Sequence, residues 1–165
     1  MSEIIYLDNG ATSFPKPEEV YTTMDTFYRN YGVNPGRSGY ELAVEAGAVV
    51  DDARKLLTEF FNGTDPSHLC FSYNSTDALN LVIFGMLQPG DHAISTTLEH
   101  NSVLRPLYHL SQDGVEVDYA PFDGMGFVNP DDVRKMFKPN TRLVIINHAS
   151  NVIGTIQPIR EIGRY

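Results

Sequence analysis

The sequence predicts an α/β fold built on a mostly parallel sheet, and three observations carry that prediction. Short apolar or β-branched stretches recur at 69–72, 92–95, 115–119 and 143–146. Between them lie helical stretches of roughly ten residues, the alternation that builds parallel sheets through right-handed crossovers. With 165 residues, 42% of them hydrophobic and 20% charged, the chain has enough apolar surface for one domain with a real core.

The elements follow in order. Residues 4–7 read as a short extended segment ended by the turn-forming Asp8-Asn9-Gly10. Pro15 and Pro17 lead into a helix whose apolar positions Val20, Met24, Phe27, Tyr28 and Tyr31 share one face, with Gly32 placed to end it. A glycine-rich irregular stretch separates it from a second helix over 41–62. There Leu42, Ala46, Val49, Val50, Ala53 and Leu56 repeat at three and four residues, and Gly63 is the expected cap. Strand 69–72 is followed by helix 76–87, and Pro89-Gly90-Asp91 leads into strand 92–95. The next unit is a helix over 102–112, entered past Pro106, and a strand over 115–119. In the last, Asn129 is the N-cap and Pro130 the first residue of a helix that ends near Phe137 and leads to strand 143–146. A final helix is expected from Pro158.

Composition narrows the function. Twenty-one acidic against 12 basic residues give a net charge of −9, and the cations do not cluster, so no nucleic-acid partner is expected. Cys70 is the single cysteine, which excludes an internal disulfide or a multi-thiolate metal site; no metal is expected. The N-terminus carries no signal-like apolar run, and the longest apolar stretch, 78–87, is about half a membrane span. A soluble, cytoplasmic protein is expected.

Ligands of parallel sheets collect at the carboxyl ends of strands, here 73–76, 97–100 and 147–151. Ser75 or Thr76 opens a helix, where unpaired amides and the helix dipole suit a phosphate; an ordinary N-cap explains the same residues. His100 follows its strand directly, so its ring can stack on a flat ligand or move protons, or simply cap the next helix. Asn151 can donate an amide hydrogen bond to a ligand oxygen, or belong to a plain turn. Taken together, a phosphate cradle, a stacking ring and an amide donor describe a site for a flat phosphorylated heterocycle.

Five stretches, in order along nearly the whole chain, carry a resemblance. They are Tyr-Leu-Asp-Asn-Gly-Ala-Thr at 6–12, Asn-Pro-Gly-Arg-Ser-Gly at 34–39, Phe-Ser-Tyr-Asn-Ser-Thr-Asp-Ala-Leu-Asn-Leu at 71–81, Glu-His-Asn-Ser at 99–102 and Asn-His-Ala-Ser-Asn-Val-Ile-Gly at 147–154. Each resembles a signature of the class V aminotransferase and cysteine desulfurase family, which depends on pyridoxal 5'-phosphate. The resemblance implies the N-terminal part of a fold-type-I large domain, three-layered α/β/α and incomplete. Residues 1–40 would be an N-terminal segment, helix and active-site loop, and 41–165 the truncated cofactor-binding large domain.

It also implies roles. Ser75 and Thr76 would bind the cofactor phosphate, His100 would stack on the pyridine ring and take part in catalysis, and Asn151 would contact the ring's phenolic oxygen. Asn34 and Arg37 would lie in a loop near the active site, often that of the neighbouring subunit. Two positions depart from the family: Asp77 replaces a glutamate and Tyr40 a frequent histidine. The family's Schiff-base lysine, its aspartate and its nucleophilic cysteine lie downstream of the matched region. Lys16, Lys55, Lys135 and Lys138 read as solvated surface charge, and Cys70 as a small buried hydrophobe of an apolar strand.

The implied parent is a homodimeric cysteine desulfurase that takes sulfur from L-cysteine, gives alanine and an enzyme persulfide, and passes sulfur to an acceptor protein. The chain alone is expected to be inactive, with strand 69–72 an orphaned edge, paired differently, or covered by another copy of the chain. The alternatives are an aminotransferase or lyase acting on another amino-acid substrate, a phosphate-binding α/β module, and a structural piece that binds nothing.

Overall fold

The computed structural model describes residues 4–36 and 39–165; Arg37 of the expected active-site loop lies outside the described residues. The chain separates into two compact units, Met1–Phe71 and Ser72–Tyr165.

The first unit contains helices α1 (Glu18–Asn30) and α2 (Glu41–Phe60) and a single 3-10 turn at Pro66–His68. Both helices form where the 3.6-residue period predicts them, but their apolar faces are not covered within the unit. No residue of α1 is buried, and Val20, Met24 and Tyr28 are exposed. In α2 only Ala43, Ala46 and Thr58 are buried, while Leu42, Val49, Leu56 and Phe60 stand in solvent. The periodicity is correct; what an apolar stripe packs against is a tertiary matter that it cannot encode.

Two expectations here are corrected. At the end of α2 the left-handed residue is Asn62 (φ 57°), not Gly63. The Asn62 amide bonds the Glu59 carbonyl at 2.9 Å and the Gly63 amide the Thr58 carbonyl at 2.8 Å, the two bonds of a Schellman end. Glycine is needed at 63 for closeness instead, since a Cβ there would stand 2.9 Å from Thr58 Cγ2. The second correction is that residues 69–72 pair with no strand among the described residues, and that Cys70 is exposed. The segment is tied to α2 through Arg54, whose Nε donates to the Leu69 carbonyl at 3.1 Å and whose guanidinium lies 5.4 Å from the centre of the Phe71 ring.

The second unit carries the sheet. Strands β1 (His92–Thr96), β2 (Glu116–Ala120) and β3 (Thr141–Val144) lie in the order β2-β1-β3, and both pairings are parallel. Central β1 is buried throughout. Its successive side chains point to opposite faces, so neighbours enter different cores. Ala93 packs with Ile83 of α3 (Ser75–Met86), with Leu87 just past its end, and with Val103, Leu107 and Leu110 of α4 (Asn101–Gln112). Ile94 packs on the other face with Val133 of α5 (Pro130–Lys135) and Ile162 of α6 (Ile159–Ile162). Helices cover both faces, giving the three-layer α/β/α arrangement expected. Asn129 caps α5 by accepting from the Asp131 amide at 3.0 Å, with Pro130 at its first position. Pro106 does not precede its helix but lies inside α4, buried against the core.

Opposite the strands' carboxyl ends, His92 is fully buried; its Nδ1 is 2.8 Å from Thr141 Oγ1, and its Nε2 lies 3.2 Å from Asp118 Oδ2 without hydrogen-bond geometry. Lys138 donates to Asp118 at 2.6 Å and to Glu116 at 2.8 Å. Its hydrogen bond holds the Asp118 carboxyl below the ordinary range.

Candidate active site

Helix α3 opens where the extended segment after Phe71 turns. Asn74 is its N-cap, and its Oδ1 accepts from the Asp77 amide at 2.9 Å. Asp77 reaches back, and its Oδ2 accepts from the Tyr73 amide at 3.4 Å, so the shorter acid still serves the helix start. Ser75 and Thr76 are therefore the first two helical residues rather than the cap. Among the described residues neither of their amides finds an intramolecular acceptor. Two free N–H groups thus stand at the positive end of a twelve-residue helix, on residues that also carry hydroxyls.

His100 is the N-cap of α4, reached from β1 through Thr97, Leu98 and Glu99. Its Nδ1 accepts from the Ser102 amide at 3.1 Å and lies 2.8 Å from Ser102 Oγ. A backbone N–H can only donate, so Nδ1 is the acceptor and the neutral ring carries its proton on Nε2. Capping and exposure therefore coexist: one nitrogen holds the helix while the ring stays open to solvent.

The structure brings two of the sequence-predicted residues together. Thr76 and His100 line one cleft of about 430 Å³ between α3 and α4, which also meets Asn80, Phe84 and Arg105. Ser75 adjoins it in sequence. Asn151 lies elsewhere in the same unit, at the exposed tip of the loop that follows β3, and does not line that cleft. The loop is tight: Ala149 and Ile156 form an antiparallel bridge, the Ser150 amide bonds the Thr155 carbonyl at 3.0 Å, and Gly154 takes φ 73°. Asn34 is exposed in the first unit.

Two buried polar residues of this region carry no role in the sequence reading. Glu99 is 8% exposed; its Oε1 accepts from Thr96 Oγ1 at 2.9 Å and from the Asn147 amide at 2.7 Å. Burial pushes its carboxyl above the ordinary range, against those two hydrogen bonds. Gln157 joins the foot of the 147–157 loop to the preceding turn. Its Oε1 accepts from the Val128 amide and its Nε2 donates to the Gly126 carbonyl, each at 2.8 Å. The available signal for Glu99 was an acid placed three residues after a strand threonine, immediately before the candidate histidine.

The sequence model of the family described as aminotransferase class-V matches residues 5–165. The chain belongs to that family. Among similar class V proteins, a probable cysteine desulfurase of Halobacterium salinarum is 36% identical, aligned over 98% of this chain and 40% of its own length. Cysteine desulfurase IscS of Dictyoglomus turgidum is 34% identical over 99% of this chain and 42% of its own length. Of solved structures, the apo cysteine desulfurase of Thermococcus onnurineus NA1 superposes with a TM-score of 0.88 at 31% identity, covering 98% of this chain and 40% of that one. A structure of SspA in complex with cysteine gives 0.85 at 29% identity, over 96% of this chain and 46% of that one. The chain thus spans about two-fifths of the length of the curated relatives it matches. No helix among the described residues is long and apolar enough to cross a membrane.

Proposed function

We propose that this chain is the N-terminal portion of a pyridoxal-phosphate-dependent cysteine desulfurase-like enzyme, which takes sulfur from L-cysteine and leaves alanine and an enzyme persulfide. The observation that carries the reading is the single cleft shared by Thr76 and His100, in a class V chain whose relatives are named cysteine desulfurases. The residues present suit the cofactor. The free amides and hydroxyls of Ser75 and Thr76 match a phosphate, and the exposed His100 ring, fixed in rotation by Ser102, offers a face for a pyridine ring. Asn151 is the proposed donor to the ring's phenolic oxygen, and Asn34 and Arg37 belong to the proposed substrate or subunit loop. When bound, the cofactor supplies an electron sink for the substrate's α-carbon. His100 Nε2 is placed to hold or exchange a proton beside that ring.

This chain by itself is proposed to be inactive. Among the described residues no lysine lines the cleft. Lys55 and Lys135 each pair with an aspartate on their own helix, Lys138 pairs with β2, and Lys16 bonds the Ser13 carbonyl. Cys70 belongs to the other unit. A homodimer, a sulfur-accepting protein and a cytoplasmic setting go with the whole enzyme in this reading. Titration of the chain with pyridoxal phosphate, followed by its visible absorbance, is expected to saturate. Thr76→Val and His100→Ala should each weaken binding about tenfold, the loss of one hydrogen bond to a charged group or of one ring contact. Unsaturable uptake, or wild-type affinity in both variants, refutes the cofactor assignment. Alanine release from L-cysteine above the rate of free cofactor refutes the inactivity.

A further inference from the structure

Glu99 is the only buried carboxylate among the described residues, and its position answers a specific need of the sheet. Strands β1 and β3 run parallel, and the Ile145 amide bonds the Ile94 carbonyl at 2.9 Å. Ser95 Oγ then donates to the Ile145 carbonyl at 3.1 Å. Two residues on, a continuing parallel ladder would give the Asn147 amide the carbonyl of Thr96. The β1–β3 pairing ends at Ile94 and Val144, while Thr96 still pairs with Ala120 of β2, so the Asn147 amide is left without a strand partner. Glu99 Oε1 takes its place at 2.7 Å, while Thr96 Oγ1 both donates to the same oxygen at 2.9 Å and accepts from the Leu98 amide at 3.1 Å. One carboxylate oxygen therefore closes the gap where the two strands splay, and it does so at the end of the sheet where ligands of such folds collect.

We infer that Glu99 is a positioning residue that couples the His100 turn to the loop carrying Asn151. Glu99 is joined to His100 by a peptide bond, and Asn147 is the first residue of the stretch that reaches Asn151. Loosening either hydrogen bond frees both sides of the site together. The relevance to cofactor binding rests on the proposed function; the mechanical coupling does not.

The test uses the full chain and three variants, read by amide hydrogen exchange without added cofactor. Glu99→Ala removes the acceptor, Glu99→Asp shortens it by one methylene so that it cannot span both donors, and Glu99→Gln keeps a carbonyl oxygen at the same reach. Exchange should quicken about tenfold in both 97–100 and 147–153 for the alanine and aspartate variants, the effect of one lost hydrogen bond, and return to near wild type in the glutamine variant. Strand β2 should keep its protection, which separates coupling from general unfolding, and the aspartate variant decides the matter if the alanine variant does not fold. Quickening in only one of the two segments, or no rescue by glutamine, overturns the inference. In parallel, affinity for pyridoxal phosphate should fall about tenfold in the aspartate variant, while affinity for inorganic phosphate, held by α3 alone, stays unchanged. If wild type binds no pyridoxal phosphate, the proposed function fails while the exchange result still decides the role of Glu99.

Discussion

Replacing Gln157 with alanine removes a side chain that ties the foot of the 147–157 loop to the turn before α5. Gln157 is 4% exposed and Val128 2% exposed, so water does not readily replace what is lost. Its Oε1 accepts from the Val128 amide at 2.8 Å, and its Nε2 donates to the Gly126 carbonyl at 2.8 Å and to Thr155 Oγ1 at 3.2 Å. An orphaned buried amide costs about 1–3 kcal/mol, and the carbonyl opposite loses its donor as well. Adding about 0.8 kcal/mol for the lost methylene gives about 2–4 kcal/mol in total. In urea this should lower the unfolding midpoint by about 1–2 M with little change in slope. Gln157→Glu sharpens the test, because it keeps the acceptor for Val128 but sets a carboxylate against the Gly126 carbonyl. Protonation restores a donor there, so this variant should gain stability as the pH falls while the alanine variant does not. A midpoint shift below about 0.3 M for the alanine variant, or a pH-independent glutamate variant, refutes the reasoning.

Two further outcomes are expected. Leu107→Ala empties a fully buried position between α4 and the sheet and should cost about 2–5 kcal/mol of unfolding free energy by urea denaturation. Glu99 gives the second: desolvation raises its folded pKa above the unfolded value, so the folded chain holds that proton more tightly. The sign follows from linkage: this group adds stability below its unfolded pKa, and that contribution is lost as the pH rises through the raised folded value. Comparing the pH dependence of stability of wild type with that of Glu99→Gln isolates the contribution, which should vanish in the variant; an unchanged slope contradicts the assignment.

Most of the second unit is legible in the sequence because its signals are local. Asn129-Pro130 starts a helix by its own chemistry, and Pro89-Gly90-Asp91 separates α3 from β1 without reference to anything distant. The same holds for His100: an imidazole directly after a strand and before a helix is placed by two local elements. Local reading fails where a residue depends on a partner far along the chain. Residues 69–72 carry a strand's composition, but a strand exists only through a neighbour's hydrogen bonds, and none among the described residues offers them. Cys70 is exposed for the same reason. Pro106 shows the reverse case, a helix breaker held within α4 by a buried, packed face.

By itself the sequence determined the alternation of strands and helices, the family, and the identity of Ser75, Thr76 and His100 as candidates, since each follows from spacing, turn chemistry or motif. Only the tertiary structure decided that Thr76 and His100 share a cleft while Asn151 sits at a loop tip outside it. It also gave Glu99 and Gln157 their work. A buried polar side chain is defined by the backbone groups it satisfies, and those at Asn147 and Val128 lie 48 and 29 residues away along the chain.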